Sequence, residues 1–258
     1  MKDKYAIVTG GANGIGRCIT LEFLKAGVNV SIIDADKKAG EALTALNGSF
    51  SSTPSCGRLS FFHGDIADKT VLETFLKTLD HPINFLINNA CLSRKGLLTG
   101  CNWEDFEYVQ RVGVTAPYYL THSLLQQKLL PPGASVINIA STRGMQSQAD
   151  TESYSAAKGG ILALTHAMSI SLAGRARVNA ISPGWIDTIQ NSHSPEDKSQ
   201  HPAGRIGIPE DIANMVLFLC DETKSGFITG ENIVIDGGMS KLMIYHNDDG
   251  WKYRRTEM

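Results

Sequence analysis

Short apolar runs alternate along the chain with longer stretches in which apolar residues recur every three or four positions. The short runs, rich in Val and Ile, are Tyr5–Val8, Val28–Ile33, Leu59–Phe62, Asn84–Ile87, Ser135–Ile139, Val178–Ile181 and Asn232–Ile235. Segments this short and this apolar predict strands buried on both faces. Between them lie the helix-period stretches Ile15–Ala26, Lys37–Leu46, Thr70–Leu79, Trp103–Leu129, Tyr154–Leu172 and Pro209–Leu219. Such alternation predicts a parallel sheet, because parallel neighbours need crossovers and right-handed crossovers lay helices on both faces. The expected class is α/β, a single doubly wound parallel seven-stranded sheet. Asn47–Arg58 is polar and Ser-rich, which predicts a surface loop before the third strand. Thr188–Gly204 is also patternless, but it follows a strand on the carboxyl edge, where open α/β sheets bind ligands. No repeat or Pro/Ser-rich linker divides the chain, so residues 1–258 are expected to form one domain. The tail 243–258 carries Tyr245, Trp251 and Tyr253, and is expected to dock, on a neighbouring subunit near its active site.

Composition narrows the functional classes. With 258 residues and 42% hydrophobic content, the chain can bury a sizeable core and is not a disordered one. Its net charge of −2 offers no basic face for nucleic acid or an anionic membrane. No apolar run reaches the length of a membrane span, and Met1-Lys2-Asp3-Lys4 passes straight into the first strand without a signal-like region. The five cysteines (Cys18, Cys56, Cys91, Cys101, Cys220) are scattered and odd in number, as in reduced cytoplasmic proteins. The seven histidines form no ligand-spaced group with Cys or acid, so no metal is expected. His166, within an apolar helical pattern, is expected to be packed in a core or interface.

The first strand ends in Thr9-Gly10-Gly11-Ala12-Asn13-Gly14-Ile15-Gly16, which opens the first helix. Glycines there allow the sharp turn, a close backbone approach to a pyrophosphate and tight packing of helix on strand, while exposed helix N–H groups hold the anion. This is the dinucleotide-binding arrangement of a Rossmann fold. Asp34 ends the second strand, where a carboxylate accepts bonds from the ribose hydroxyls and repels a 2′-phosphate. It favours NAD over NADP, although Lys37 and Lys38 nearby could pair with a phosphate.

Further motifs follow in order: Gly64-Asp65-Ile66, Asn88-Asn89-Ala90-Cys91, Ser141, Tyr154-Ser155-Ala156-Ala157-Lys158, Pro183-Gly184-Trp185-Ile186-Asp187-Thr188 and Asp236-Gly237-Gly238. Together with the glycine turn they resemble the short-chain dehydrogenase/reductase family from about Tyr5 to Gly238. The resemblance implies cofactor contacts at Gly10, Asn13, Gly14, Ile15, Gly16, Asp34, Asp65, Ile66, Asn89, Tyr154, Lys158, Pro183, Gly184, Ile186 and Thr188. It also implies a homo-oligomer, tetramer or dimer, paired through the long helices. Two positions depart from the family pattern. Cys91 stands where glycine is usual, and Gly113 where the family has an Asn that holds a water leading from the active-site Lys to solvent. Pro117 has no N–H for the Gly113 carbonyl, so that carbonyl is expected to hold the water instead.

The residues themselves suggest hydride-transfer chemistry. Tyr154 and Lys158 are one helical turn apart, so their side chains share a face. A tyrosine in water ionises near ~10, too high for a base at neutral pH, and an adjacent ammonium favours its anion. Ser141 would orient the substrate oxygen while Tyr154 exchanges the hydroxyl proton. Ser141, Tyr154 and Lys158 are thus the expected catalytic set of an NAD(H)-dependent enzyme interconverting a secondary alcohol and a ketone on a small polar metabolite. Arg143 is expected either to face the pocket, attracting a carboxylate or sugar hydroxyls, or to lie solvated on its loop. Trp185 and His193 are further candidates for the pocket wall. Gly113 alone favours a catalytically weak dinucleotide-binding regulator, and Asp34 opposes an acyl-thioester ketoreductase that would prefer NADPH.

Overall fold

A computed structural model of the chain describes residues 1–50 and 56–243. Seven strands are present: β1 Tyr5–Thr9, β2 Asn29–Asp34, β3 Leu59–His63, β4 Phe85–Asn88, β5 Ala134–Ile139, β6 Ala176–Pro183 and β7 Asn232–Ile235. All pairings are parallel, in the order β3-β2-β1-β4-β5-β6-β7. The principal helices are α1 Gly14–Lys25, α2 Lys37–Phe50, α3 Lys69–Leu76, α4 Trp103–Gln110, α5 Ala116–Gln126, α6 Glu152–Ser171, α7 Pro195–Ser199 and α8 Pro209–Cys220. This is the expected doubly wound Rossmann-like sheet. Its direction of growth reverses between β1 and β4, which opens a crevice beyond their carboxyl ends.

Strand alternation explains why both faces carry helices. Along β1, Ala6 and Val8 face one core and Ile7 the other. Along β4, Phe85 and Ile87 join the first core and Leu86 the second. The first core is closed by Ile19 and Phe23 of α1 and by Ile212, Val216 and Leu219 of α8. Within it the rings of Phe23 and Phe85 stack with centroids 5.6 Å apart. The second is closed by Leu72 and Phe75 of α3, Leu120 and Leu124 of α5, and Met168 of α6. Each such side chain, taken fully out of water, stabilises the fold by about 1.5–3 kcal/mol.

Three segments differ from the sequence pattern. The run from Trp103 is helical without a break to Gln126, but α4 and α5 are joined within it by a π-helical turn, Arg111–Thr115, in which the Ala116 N–H donates to the Arg111 carbonyl. Gly113 weakens the helix there, and Pro117 cannot supply the i+4 donor to its carbonyl, so the register widens. Asn47–Arg58 is loop only in part, because α2 continues to Phe50 and residues 51–55 lie outside the described part. Thr188–Gly204 contains the short helix α7, started by a capping box between Ser194 and Asp197 with Pro195 in its first turn. The tail with Tyr245, Trp251 and Tyr253 lies outside the described residues.

A buried polar chain fixes α6 to the middle of the sheet. The Asn88 amide donates to Asn138 Oδ1 at 2.8 Å, and Asn138 Nδ2 donates to Thr165 Oγ1 at 2.9 Å. Thr165 in turn donates to the Ile161 carbonyl at 2.7 Å. Asn138 has no solvent exposure, so Asn138→Ala would leave the Asn88 amide without its acceptor and Thr165 without its donor. The expected loss is about 2–3 kcal/mol, read as a lower urea midpoint at unchanged m.

Candidate active site

The crevice beyond β1 and β4 is a cleft of about 800 Å³. Its floor is the glycine turn. A Cβ on Gly16 would lie 2.0 Å from the Gly10 carbonyl oxygen and 2.5 Å from Asn89 Nδ2, so only glycine lets α1 start this close to the strand end. Asn89 ties the two strands across the crevice: its amide donates to the Thr9 and Gly10 carbonyls, both at 3.0 Å. The backbone N–H groups of Asn89 and Ala90 both donate to Thr9 Oγ1. No side chain caps α1. Asn13 turns away from the helix, and its amide donates to Asp36 Oδ2 at 3.1 Å. The N–H groups of Gly14, Ile15 and Gly16 thus have no intrahelical acceptor and line the cleft, a ready site for an anionic group.

Asp34 and Asp36 line the far end. Asp34 accepts the Ala12 N–H on one oxygen and the Asp36 N–H on the other, both at 2.9 Å, which fixes its carboxylate and leaves further lone pairs. The Ala39 N–H and the Asn13 amide hold the Asp36 carboxyl below its usual range. Lys37 and Lys38 are not among the lining residues, and Lys37 lies 3.8 Å from Glu41. Asp65 and Ile66 line the cleft beside Tyr108, whose hydroxyl donates to Asp65 Oδ2 at 2.7 Å. Burial, then this acceptor, pushes the Tyr108 phenol up to about 12. Tyr108 has no signal in the sequence, being 43 residues from its partner.

Ser141 follows β5 and starts a 3-10 turn, Thr142–Gly144. Its Oγ accepts the Arg143 N–H at 3.1 Å, which orients the hydroxyl and leaves its proton available to the cleft. Tyr154 lies on the first turn of α6 and Lys158 on the next. Both line the cleft, with the Lys158 ammonium 5.4 Å from the Tyr154 ring centre. Lys158 is buried and donates to the Ile139 carbonyl at 2.6 Å, a partner invisible to motif reading. From the opposite wall come Pro183, Gly184, Ile186 and Thr188. Gly184 has no room for a side chain, since a Cβ would lie 2.5 Å from that of Asp236. Every cofactor and catalytic position expected from the sequence therefore borders this one cleft.

The two departures from the family pattern meet in space. A Cβ on Gly113 would lie 2.9 Å from the Ala157 Cβ and 3.4 Å from Cys91 Sγ. The π turn thus packs directly on α6 beneath Tyr154 and Lys158, and the Cys91 thiol lies against the space a side chain at 113 would enter.

A second cavity, about 620 Å³, shares Ser141, Tyr154, Gly184 and Ile186 with the first. Trp185 and Arg143 also line it. His193 does not line either cavity; its Nε2–H donates to Asp187 Oδ2 at 2.9 Å, and it meets the Trp185 ring edge to face at 5.3 Å. It supports the wall from behind. His166 is exposed in this chain, on the solvent side of α6.

Comparison with known proteins agrees with this geometry. Residues 10–240 match the family model described as enoyl-(acyl carrier protein) reductase. The chain belongs to the short-chain dehydrogenase/reductase family. An oxidoreductase of Thermotoga maritima whose activity is uncharacterised is 39% identical over 95% of this chain and 99% of its own. A 3-oxoacyl-[acyl-carrier-protein] reductase of Chlamydia pneumoniae is 33% identical over 92% of this chain and 97% of its own. Among solved structures, an apo SCOR enzyme from Clostridium thermocellum superposes with a TM-score of 0.85 at 44% identity, covering 98% of this chain and 100% of that one. A blue fluorescent protein from a metagenomic library, in complex with NADPH, gives 0.80 at 27% identity over 93% and 98%. The protein is thus a nucleotide-binding oxidoreductase of this family, whose members bind NAD(P)H. No helix among the described residues is long and apolar enough to cross a membrane.

The Asp187–His193 pair gives a pH signature. The hydrogen bond from His193 holds the Asp187 carboxyl below its ordinary 3.8. A depressed carboxyl adds stability above its unfolded value and loses it as pH falls through the folded one. Wild-type stability is therefore expected to fall more steeply below about pH 4 than that of His193→Ala, in urea midpoints measured across the acid range.

Proposed function

We propose that the protein is an NAD(H)-dependent oxidoreductase that interconverts a secondary alcohol and a ketone on a small polar metabolite. The observation that carries this reading is the shared wall: Ser141 and Tyr154 border both cavities, with Lys158 behind Tyr154 in the larger one. The larger cleft fits a dinucleotide, with the α1 N–H groups for the pyrophosphate, Asp34 for the adenosine ribose, and Lys158 with the β6 edge for the nicotinamide end. When bound, the nicotinamide supplies the hydride acceptor or donor.

The chain's own residues do the rest. The Ser141 hydroxyl, fixed by the Arg143 N–H, donates to the substrate oxygen and holds it beside Tyr154. In the oxidative direction the Tyr154 oxygen takes the alcohol proton, and in reduction it returns one to the forming alkoxide. Lys158 and Arg143 stand 5.4 and 5.7 Å from the Tyr154 ring centre, so two positive charges flank the ring that carries the hydroxyl. NAD is favoured over NADP because two carboxylates, Asp34 and Asp36, border the ribose end and the lysines do not. Exposed apolar side chains on α4 and α6, Trp103 and Ile170 at 77% and 78% exposure, support a homo-oligomer, dimer or tetramer. Reduced thiols support a cytoplasmic location. A second reading, reduction of a 3-oxoacyl thioester, is favoured by the 3-oxoacyl-[acyl-carrier-protein] reductases among the relatives.

The test is a panel of secondary alcohols, polyols, hydroxy acids and a 3-oxoacyl thioester with each dinucleotide. Tyr154→Phe is expected to lower turnover about 10²–10⁴-fold with dinucleotide binding retained; turnover indifferent to that change would end the mechanism. Asp34→Ala is expected to lower the preference for NAD over NADP in kcat/KM by about tenfold or more, because the 2′-phosphate then meets one carboxylate fewer.

A further inference from the structure

The smaller cavity holds a cation without a carboxylate partner. Its lining includes Arg143, Gln146, Gln148, Gln200 and Trp185, and no Asp or Glu among the described residues. Arg143 is half-buried and makes no ion pair among the described residues. Its guanidinium lies over the Tyr154 ring, 5.7 Å from centre to centre, and one amino group donates to the Gln148 side-chain oxygen. The backbone of the same residue is pinned by the Ser141 side chain at 3.1 Å. The fork is therefore aimed by a neutral partner, a ring face and its own main chain, and keeps four of its five N–H donors. A half-buried guanidinium is costly to leave without an anion, and planar carboxylates match its fork in two parallel bonds.

We infer that Arg143 is the specificity-determining residue of the substrate cavity, and that the substrate carries a carboxylate one or two carbons from the reacting carbon. This rests on the proposed oxidoreductase reading, since the reacting carbon is placed by Ser141 and Tyr154. The guanidinium lies 5.7 Å from the Tyr154 ring centre and two residues from Ser141, so a carboxylate it holds sits close to the substrate oxygen those residues would hold, which calls for a short link. The substrate class is a 2- or 3-hydroxy acid, or the corresponding oxo acid.

The experiment compares 2-hydroxybutyrate and 3-hydroxybutyrate with their carboxamides, which keep size and hydroxyl but remove the charge. For one of the two acids, wild-type kcat/KM is expected to exceed that of its carboxamide by about 100-fold. In Arg143→Gln that ratio falls toward one, and in Arg143→Lys it is intermediate, because a point charge replaces a fork. A ratio near one in the wild type, or one that Arg143→Gln leaves unchanged because both substrates fall equally, overturns the inference. Calorimetric titration of the same acids and amides into the protein with NADH reads the ratio without turnover. Equal affinities, or no binding of any acid, also overturn it. Failure of the oxidoreductase reading shows separately, as turnover indifferent to Tyr154→Phe or turnover of nothing in the panel.

Discussion

Two strand ends that lead the chain in opposite directions across the sheet are joined by one side-chain amide. Asn89 at the end of β4 donates to the last carbonyls of β1, while the backbone of Asn89 and Ala90 closes on the Thr9 hydroxyl. Everything around the crevice is referred to this clasp. It sets where Gly10 turns, hence where α1 starts and where its N–H groups point. The same strand end connects through Asn88 and Asn138 to α6, which carries Tyr154 and Lys158. The glycine turn and the Tyr-Lys pair are thus positioned from one strand by a continuous set of hydrogen bonds.

The sheet was legible in the sequence because each of the seven runs is short and mostly apolar, with only isolated Asn and Ser among the Val, Ile, Leu and Phe. The residues that border the cleft were legible because glycine is required where a Cβ would strike backbone, and because Tyr and Lys one helical turn apart share a face. What escaped is of a different kind. Tyr108 borders the cleft only because Asp65, far away in sequence, accepts its hydroxyl. The Ile139 carbonyl that holds Lys158 is main chain and leaves no trace in residue type. The capping box at Ser194 was there to be read, since Ser-Pro-Glu-Asp is a helix start, but the polar surroundings hid a helix only five residues long. The π turn inside the long helical run from Trp103 also escaped, although its physical reason is visible in the residues, a glycine and a proline four apart.

The departures at Cys91 and Gly113 make sense as one adjustment. Removing the side chain at 113 lets the π turn come down on Ala157, and the thiol at 91 occupies volume on the same side. Interiors are packed closely enough that a side chain lost at one position is commonly balanced at a neighbour. The consequence for the site is a tight floor under α6. Lys158 is held from the sheet side by a main-chain oxygen, which does not depend on what stands at 113.

The polar chain from Asn88 to Thr165 also determines how the molecule comes apart. Lifting α6 alone would break the Asn138–Thr165 and Lys158–Ile139 bonds and leave their buried groups without partners, which makes that opening costly. The stretch from Thr188 to Gly204 is fastened by the Asp187–His193 pair, by the Trp185 ring against those of His193 and His201, and by the Ala203 N–H, which donates to the Gly237 carbonyl at 2.9 Å. Slow amide exchange is therefore expected along α6, on the side of the cleft that carries Tyr154 and Lys158.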